Sequence, residues 1–262
     1  VSFKPLDPPE RFKALDSGAV DILASVTTRT LERDVNEPTT GKGYTFSFPN
    51  FYDSIRFAGI PTYRNCAENL DWNSGSCRNL KVCVTDGTTQ FEIMKGLFPA
   101  DRLVVLESST ETAETFGTGR SCQVLAGGAL QISTAIIEKY YSGLYDMGTD
   151  IFSREALALV TTEDDVIWSK FVNWVVISLV YAEEQSITRS TSLRMPRVDL
   201  FRPMVGDEFL RNAVGAVGSF QEIWERNADS EGLARDGRNR LNTVPLSPLL
   251  MTDLTWYLPI RG

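Results

Sequence analysis

Hydrophobic runs typical of strands alternate with helical patterns along the first two thirds of the chain. The opening run VSFKPL predicts a strand, and PPERFKALDSG predicts a helix that begins at a proline and ends at Gly18. Four further apolar runs predict buried strands, and the last three each precede a predicted helix: VDILAS, KVCVTDG with TTQFEIMKGLF, RLVVLE with TETAETFGTG, and SCQVLAGG with ALQISTAIIEKYY. This alternation predicts an α/β fold in which helices cover parallel strands.

The last third of the chain has a different pattern. The segment WSKFVNWVVISLVYAEEQ carries apolar residues at positions 168, 171, 172, 175, 176 and 179, which is helical spacing. Shorter helices are predicted around Asp207–Val214 and Gly218–Arg226. The most apolar stretch, Val166 to Tyr181, is interrupted by polar residues, so we expect it to be too short and too polar to span a bilayer.

Composition and charge exclude several classes of function. The chain of 262 residues is 42% hydrophobic and 23% charged, as in ordinary globular proteins. Its net charge of −8 argues against a nucleic-acid partner, because phosphate binding requires a basic face. The chain contains no histidine, which excludes histidine-dependent catalytic triads and histidine-ligated zinc sites. We therefore predict no catalytic residues, no metal site and no cofactor.

Four cysteines, an even number, allow two disulfide bonds. Cys66 and Cys77 bracket the turn-rich stretch AENLDWNSGS, where a short closed loop is expected. Cys83 and Cys122 lie in two apolar runs that predict buried parallel strands. The alternative is four free buried thiols, since free cysteine packs like a small hydrophobic residue. Disulfide bonds would favour an oxidising compartment.

Several segments resemble, in order along nearly the whole chain, the polar-amino-acid-binding proteins of bacterial ABC importers. ERFKALDSGAVDILASVTTRTLERD resembles the helix–strand unit and ligand loop of that family, KVCVTDGTT its second-lobe strand and turn, and GRSCQV a further strand start. GSFQEIWERN and LPIRG resemble the C-terminal part of its broad-specificity members. On this basis the chain is identified as a divergent member of family 3 of the extracellular solute-binding proteins.

The resemblance implies a two-lobed, type II periplasmic-binding-protein-like fold whose first lobe is discontinuous. It also implies a transport role without catalysis and an extracytoplasmic location: the periplasm, the secreted space or an organelle lumen. The family's first strand and helix would lie upstream of Val1, so we expect a further segment, another chain or a membrane complex to complete lobe 1. The expected lobe 1 is 1–58 with 160–262, lobe 2 is 63–152, and the hinge lies near 55–62 and 154–161.

An amino-acid ligand presents a carboxylate, and Arg33 is the candidate cation for it because a guanidinium can bind a carboxylate with two hydrogen bonds. By resemblance Arg33 is the family's carboxylate-binding arginine, and Thr28 and Thr30 contact the ligand from the same loop. The alternative is that Arg33 is a solvated charge beside Glu32 and Asp34. Arg29 stands where relatives often carry an apolar or aromatic residue, and an extra cation there would favour a more acidic ligand.

A second candidate segment is Gly87-Thr88-Thr89, which lies between a predicted strand and a predicted helix. Free N–H groups at a helix N-terminus bind anions, and threonine hydroxyls can assist them. By resemblance Thr85, Thr88 and Thr89 occupy ligand-contacting positions. The alternative is an ordinary helix N-cap, for which threonine is a common residue.

One departure from the family concerns the partner of the ligand's ammonium group. The family strand that starts like GRSCQV runs to an acidic residue, which would fall at position 128. Here that position is Gly128, and the stretch from Gln123 to Ala129 contains no carboxylate. An unpaired ammonium group in a closed site costs several kcal/mol. We therefore expect an unmodified α-amino acid to bind poorly in the usual pose.

Two functions follow from these patterns. The first is binding of a small polar or anionic, amino-acid-like solute between two lobes. The alternative is a repurposed scaffold or accessory subunit of a larger assembly that has lost amino-acid binding. An enzyme of the same fold is a third and minor alternative, since no nucleophile–base pair is identifiable.

Overall fold

Two units divide the chain in this computed structural model, which describes residues 1–130, 132, 145–201, 203–229, 235 and 239–240. Unit 1 consists of Val1–Gly43 and Tyr52–Leu157, and unit 2 consists of Tyr44–Phe51 and Ala158–Gly262. This division places residues 1–43 with the middle of the chain, whereas the lobes predicted from the sequence place them with the C-terminal part. The predicted lobes and hinge stay predictions.

Unit 1 alternates strands and helices, as the apolar runs predict. Its elements are α1 (Arg11–Asp16), β1 (Leu23–Thr28), α2 (Leu31–Val35), β3 (Phe51–Gly59, from Tyr52 in this unit), α3 (Pro61–Glu68), β4 (Val82–Thr85), α4 (Thr89–Leu97), β5 (Leu103–Leu106), α5 (Ser109–Thr118), β6 (Val124–Gly128), β7 (Asp146–Met147) and the first half of β8 (Ser153–Thr162). Short 3-10 helices cover Gly75–Asn79 and Ala100–Arg102.

The sheet of unit 1 follows the order β1-β8-β3-β6-β4-β5, and β7 pairs with β3. The central strand β4 pairs in parallel with both β5 and β6, which confirms the parallel strands predicted from KVCV, RLVVL and SCQVL. Strand β3 pairs with β6 in the antiparallel direction, with Ile55 opposite Gly128. Because α4 follows β4, and β4 and β6 run parallel, the N-terminus of α4 lies at the edge where both strands end.

Apolar side chains pack on both faces of this sheet. One buried cluster joins β3, β4 and β6 to α3 and α4 through residues such as Ile55, Phe57, Val84 and Met94. A second cluster, which includes Phe116 of α5 and both cysteines of one disulfide, covers the other face. Burial on both faces explains why the central strands are continuous apolar runs rather than alternating ones.

The opening run VSFKPL is not a strand. Residues 1–6 have no regular secondary structure, and the side chain of Phe3 is 89% exposed. Its β-type composition lacks a partner among the described strands, and Pro5 has no backbone N–H for a ladder. The helix predicted over ALQISTAIIEKYY lies largely outside the described residues.

Both expected disulfide bonds are present. Cys66 in α3 pairs with Cys77, and their Cα atoms are 5.7 Å apart. Cys83 in β4 pairs with Cys122, just before β6, with Cα atoms 5.6 Å apart. The second bond joins two neighbouring parallel strands, so the alternative of four free thiols is excluded.

Unit 2 is mainly helical. Strand β2 (Tyr44–Phe46) pairs with the second half of β8 in the antiparallel direction. The helices are α6 (Val166–Glu184), α7 (Phe209–Val217) and α8 (Phe220–Asn227), with a 3-10 helix at Arg189–Arg194. These bounds confirm the helices predicted for the last third of the chain.

Helix α6 corrects one expectation from the sequence. It has 19 residues, and within the described chain it is the one helix whose length and composition would allow it to cross a membrane. It continues past Tyr181, and the polar Ser178 is buried with its hydroxyl bonded to Val175 O. Inside unit 2, α6 packs against α7 in a cluster that includes Ala182, Leu210 and Val214.

Loop length predicts which disulfide bond stabilises unit 1 more. The Cys83–Cys122 bond spans a sequence separation of 39 residues, and its removal by double alanine substitution is expected to lower the free energy of unfolding by about 4 kcal/mol. The Cys66–Cys77 bond spans 11 residues, and its removal is expected to cost about 3 kcal/mol. Urea unfolding of the two double variants measures both values. An inverted order would contradict the chain-entropy argument.

Candidate functional site

Thr28 and Thr89 meet in the interior of unit 1. Thr28 ends β1 and Thr89 begins α4, and both side chains are buried. Their hydroxyl oxygen atoms are 3.3 Å apart, although 61 residues separate them in sequence. Helix α4 starts here because Thr88 caps it, accepting a hydrogen bond from Phe91 N at 3.2 Å.

Arg33 extends toward the same place from the short helix α2. Thr30 caps α2 and accepts from Arg33 N at 3.2 Å. The guanidinium of Arg33 donates to Thr28 O at 2.9 Å and to Gly87 O at 3.4 Å. The residue is only 7% exposed, so it is not the solvated charge of the alternative interpretation.

Glu155, on β8, is a buried carboxylate that joins the two threonines. It is 4% exposed and accepts hydrogen bonds from the hydroxyls of Thr28 and Thr89. The hydroxyl of Ser153 donates to its other oxygen at 2.7 Å. Three hydroxyl donors thus satisfy the buried carboxyl group.

A second arginine lies beside Arg33. Arg11, in α1, is buried and donates to Gly87 O at 3.3 Å. The guanidinium carbons of both arginines lie 5.5 Å from the centre of the Phe12 ring. Burial and the neighbouring charge of Arg33 lower the pKa of Arg11 to about 9, against the opposing effect of Glu37.

Burial and nearby acidic groups act on the pKa of Arg33 in opposite directions. Burial lowers the pKa of Arg33 from its usual value, and the negative charges of Glu155 and Glu37 oppose this shift. A guanidinium keeps its proton at neutral pH in either environment. The site therefore holds a permanent buried cation that has carbonyl oxygens, and no carboxylate within 4 Å among the described residues, as its direct acceptors.

Gly87 forms the turn between β4 and α4 and supplies the carbonyl that both arginines share. Its φ is +66°, which is the left-handed region where a side chain causes strain. A Cβ at this position would also lie 2.8 Å from Pro9 Cα and 2.9 Å from Pro9 N. The close approach of the PPERF segment to this turn requires a glycine.

Three other predicted residues have local structural contacts. Thr30 and Thr88 are N-caps, and the Thr88 hydroxyl also donates to Thr85 O at 2.6 Å. Thr85 is buried with its hydroxyl 2.9 Å from that of Thr112. Their ligand contacts stay predictions. Arg29 is largely exposed and pairs with Asp34 at 3.0 Å.

Sequence reasoning did not identify Glu155, Arg11 or Asp53 as candidate site residues. Glu155 directly precedes the apolar run ALALV, and an acid at such a position usually faces solvent. The sequence feature that could have identified Arg11 is its position in the segment ERF, directly before Phe12. No cluster of metal-ligating side chains occurs among the residues that the structure describes.

The turn at residue 87 gives a test of the site's geometry. We expect Gly87→Ala to lower the free energy of unfolding by about 1–3 kcal/mol, because a non-glycine residue is strained at positive φ and its Cβ meets Pro9. The matched control is Gly96→Ala in α4, where a Cβ meets nothing within 4 Å and the gain is about 0.5–1 kcal/mol. Thermal unfolding compares the two. Equal effects would contradict the assigned strain.

Comparison with known proteins relates this geometry to a function. No family model matches the chain. YhdW of Escherichia coli strain K12, provisionally named an amino-acid ABC transporter-binding protein, is 28% identical over 266 residues, covering 92% of this chain and 73% of YhdW. The general L-amino acid-binding periplasmic protein AapJ of Rhizobium johnstonii is 26% identical over 247 residues, covering 87% and 69%.

A solved structure similar to this chain is also that of an ABC-transporter binding protein. The periplasmic binding protein of an ABC transporter from Brucella ovis, with glutathione bound, superposes with a TM-score of 0.70 and 26% sequence identity, covering 91% of this chain and 77% of that chain. The fold class predicted from the sequence, an α/β, two-lobed periplasmic-binding-protein-like fold, is thereby confirmed. Over most of its length the chain is thus similar to amino-acid-binding proteins of ABC transporters.

Proposed function

We propose that this chain binds a small polar or anionic, amino-acid-like solute outside the cytoplasm and presents it to the membrane components of an ABC transporter. It carries out no catalysis in this role. The ligand's carboxylate binds Arg33, and the N-terminus of α4 faces the same group. The observation that carries the proposal is the buried guanidinium of Arg33 beside the hydroxyls of Thr28 and Thr89.

Arg33 is suited to exchange its present acceptors for a carboxylate. Two of its five N–H donors are bonded to the carbonyls of Thr28 and Gly87. Hydrogen bonds between a guanidinium and a carboxylate are roughly twice as strong as those between neutral groups. A ligand carboxylate therefore gains more from Arg33 than either carbonyl does.

Helix α4 supplies further donors. The first N–H groups of a helix have no acceptor inside the helix, and the helix dipole favours negative charge there. Thr89 stands at this terminus with its hydroxyl 3.3 Å from that of Thr28. The same end of α4 thus offers an anion backbone donors, while the hydroxyls of Thr28 and Thr89 donate to Glu155.

The comparisons support this function and not the alternative. AapJ is named for general L-amino acid binding, and the Brucella protein is described with glutathione bound. Glutathione carries a free α-carboxylate and an α-ammonium group, so both descriptions share one ligand chemistry. Nothing in the described residues or in these relatives supports a scaffold that has lost its ligand.

Calorimetry tests the proposal with the standard L-amino acids, glutathione and simple dicarboxylic acids as probes. We expect at least one probe to bind, and Arg33→Met to lower its affinity about 100-fold, which is about 3 kcal/mol. Methionine fills much of the buried volume without a charge, so the fold is expected to persist. The matched control, Arg29→Met, removes a cation whose side chain is 49% exposed and paired with Asp34, and it should change the affinity for probes without a second carboxylate less than about threefold.

Two results would contradict the proposal. Equal affinity losses in the Arg33 and Arg29 variants would mean that the buried guanidinium has no special role. Failure of the wild-type protein to bind any probe would favour the scaffold alternative. Circular dichroism of each variant confirms that the fold is intact.

A further inference from the structure

Asp53 lies where a side chain at position 128 would begin. Asp53 is in β3, and Gly128 ends the neighbouring strand β6. A Cβ built on Gly128 would overlap Asp53 Oδ2 and would lie 3.4 Å from Asp53 Cγ. The stretch from Gln123 to Ala129 lacks a carboxylate in sequence, but in space a carboxylate from the adjacent strand fills this place.

Strand pairing explains how Asp53 reaches this position. Ile55 pairs with Gly128 in the antiparallel ladder, and alternation along β3 points Asp53 to the same face as Ile55. The backbone N–H of Ser54 donates to Asp53 Oδ1 at 2.7 Å, and the N–H of Leu130 lies 3.3 Å from Oδ2. These bonds fix the carboxylate over the end of β6.

The same place borders the site around Arg33. Gln90, next to Thr89 in the first turn of α4, has its Nε2 atom 3.6 Å from the Cβ position of Gly128. Burial raises the pKa of Asp53, backbone hydrogen bonds from Ser54 and Leu130 lower it, and the negative charge of Glu155 raises it further. Glu155 also acts on the pKa of Arg33. Gln90 therefore connects the place that Asp53 occupies with the first turn of α4, where Thr89 lies.

A positively charged ligand group would relieve this arrangement. Neither Asp53 nor Glu155 takes part in an ion pair within 4 Å among the described residues. Glu155 is buried, Asp53 is half-buried, and the negative charge of Glu155 helps to raise the pKa of Asp53. A carboxylate in a partly desolvated place with another negative charge nearby is stabilised by a cation beside it. An ammonium group has the size and the donors for this role.

We propose that Asp53 binds the ammonium group of an α-amino-acid ligand in place of the acid absent from position 128. This inference rests on the proposed function and specifies its ligand class: zwitterionic α-amino acids or molecules that carry such an end group. It revises the expectation, drawn from Gly128 alone, that α-amino acids bind poorly. Gly128 is then a requirement, because any side chain there displaces the Asp53 carboxylate.

The test compares amino acids with matched compounds that lack the ammonium group. The probes are L-glutamate, L-glutamine and L-leucine, each beside its 2-deamino analogue, titrated by calorimetry into wild-type protein and Asp53→Asn. Asparagine keeps the size of the side chain and an oxygen acceptor for the backbone N–H groups. We expect the variant to bind the amino acids about 30-fold or more weakly and the deamino analogues within about threefold of wild type.

Two further variants separate a direct role from a structural one. Asp101→Asn removes a carboxylate that is 74% exposed and should change neither the affinity for the amino acids nor that for the deamino analogues. Gly128→Ala should reduce the preference for amino acids over deamino analogues about tenfold, and this loss should vanish when Asp53 is already asparagine. Such non-additivity identifies the carboxylate of Asp53 as the group through which position 128 acts.

Each outcome decides between the two proposals. If the wild-type protein prefers deamino analogues, or if Asp53→Asn weakens both kinds of probe equally, the role of Asp53 is overturned while solute binding stands. If Gly128→Ala lowers the preference equally with and without Asp53, position 128 does not act through that carboxylate. If no probe binds, both proposals fail.

Discussion

A guanidinium buried in unit 1 requires acceptors, and the architecture around Arg33 follows from that requirement. A buried charge without hydrogen bonds costs several kcal/mol, and here two backbone carbonyls satisfy it. One of them, Gly87 O, is available because the left-handed turn between β4 and α4 exposes it. The same turn begins α4 and places Thr89 opposite Thr28. The cation, the N-terminus of α4 and the hydroxyls are therefore positioned by one turn.

The charge balance of this interior suits a zwitterion better than a simple anion. Arg11 and Arg33 share the Gly87 carbonyl, and their mutual repulsion is part of what lowers the pKa of Arg11. Glu37 and Glu155 offset the two cations, and Asp53 adds a further negative group. A ligand that brings one charge of each sign can pair both ends without changing this balance. Each charge of such a ligand gains an opposite charge in the site, so less of the free-energy cost of its desolvation stays uncompensated than for an ion of one sign.

The features that sequence reasoning predicted are those encoded within one segment. The apolar runs around Cys83 and Cys122 predicted buried parallel strands, because strands buried on both faces have a continuous hydrophobic pattern, and the even number of cysteines allowed a disulfide between them. Arg33 and the turn at Gly87 were identified by a family resemblance that their adjacent residues carry. Glu155 and Asp53 were missed, because an acid in a strand gains its meaning from the strands beside it. Pairing register, which a linear pattern does not reveal, decides what lies next to each acid.

Gly128 illustrates the consequence of that limit. Counting along one strand identifies a lost carboxylate, whereas Asp53 is the diagonal neighbour of Gly128 on the paired strand. Such neighbours are roughly 7–8 Å apart, within reach of a side chain, so a neighbouring strand can supply the same charge. A carboxylate supplied from β3 requires glycine at position 128, since Asp53 Oδ2 occupies the volume that a Cβ there would need. The acid at 53 and the glycine at 128 thus depend on each other, and replacing either one alone would remove the carboxylate from this place. A missing residue at a binding position is therefore evidence of lost function only after the adjacent strand has been inspected.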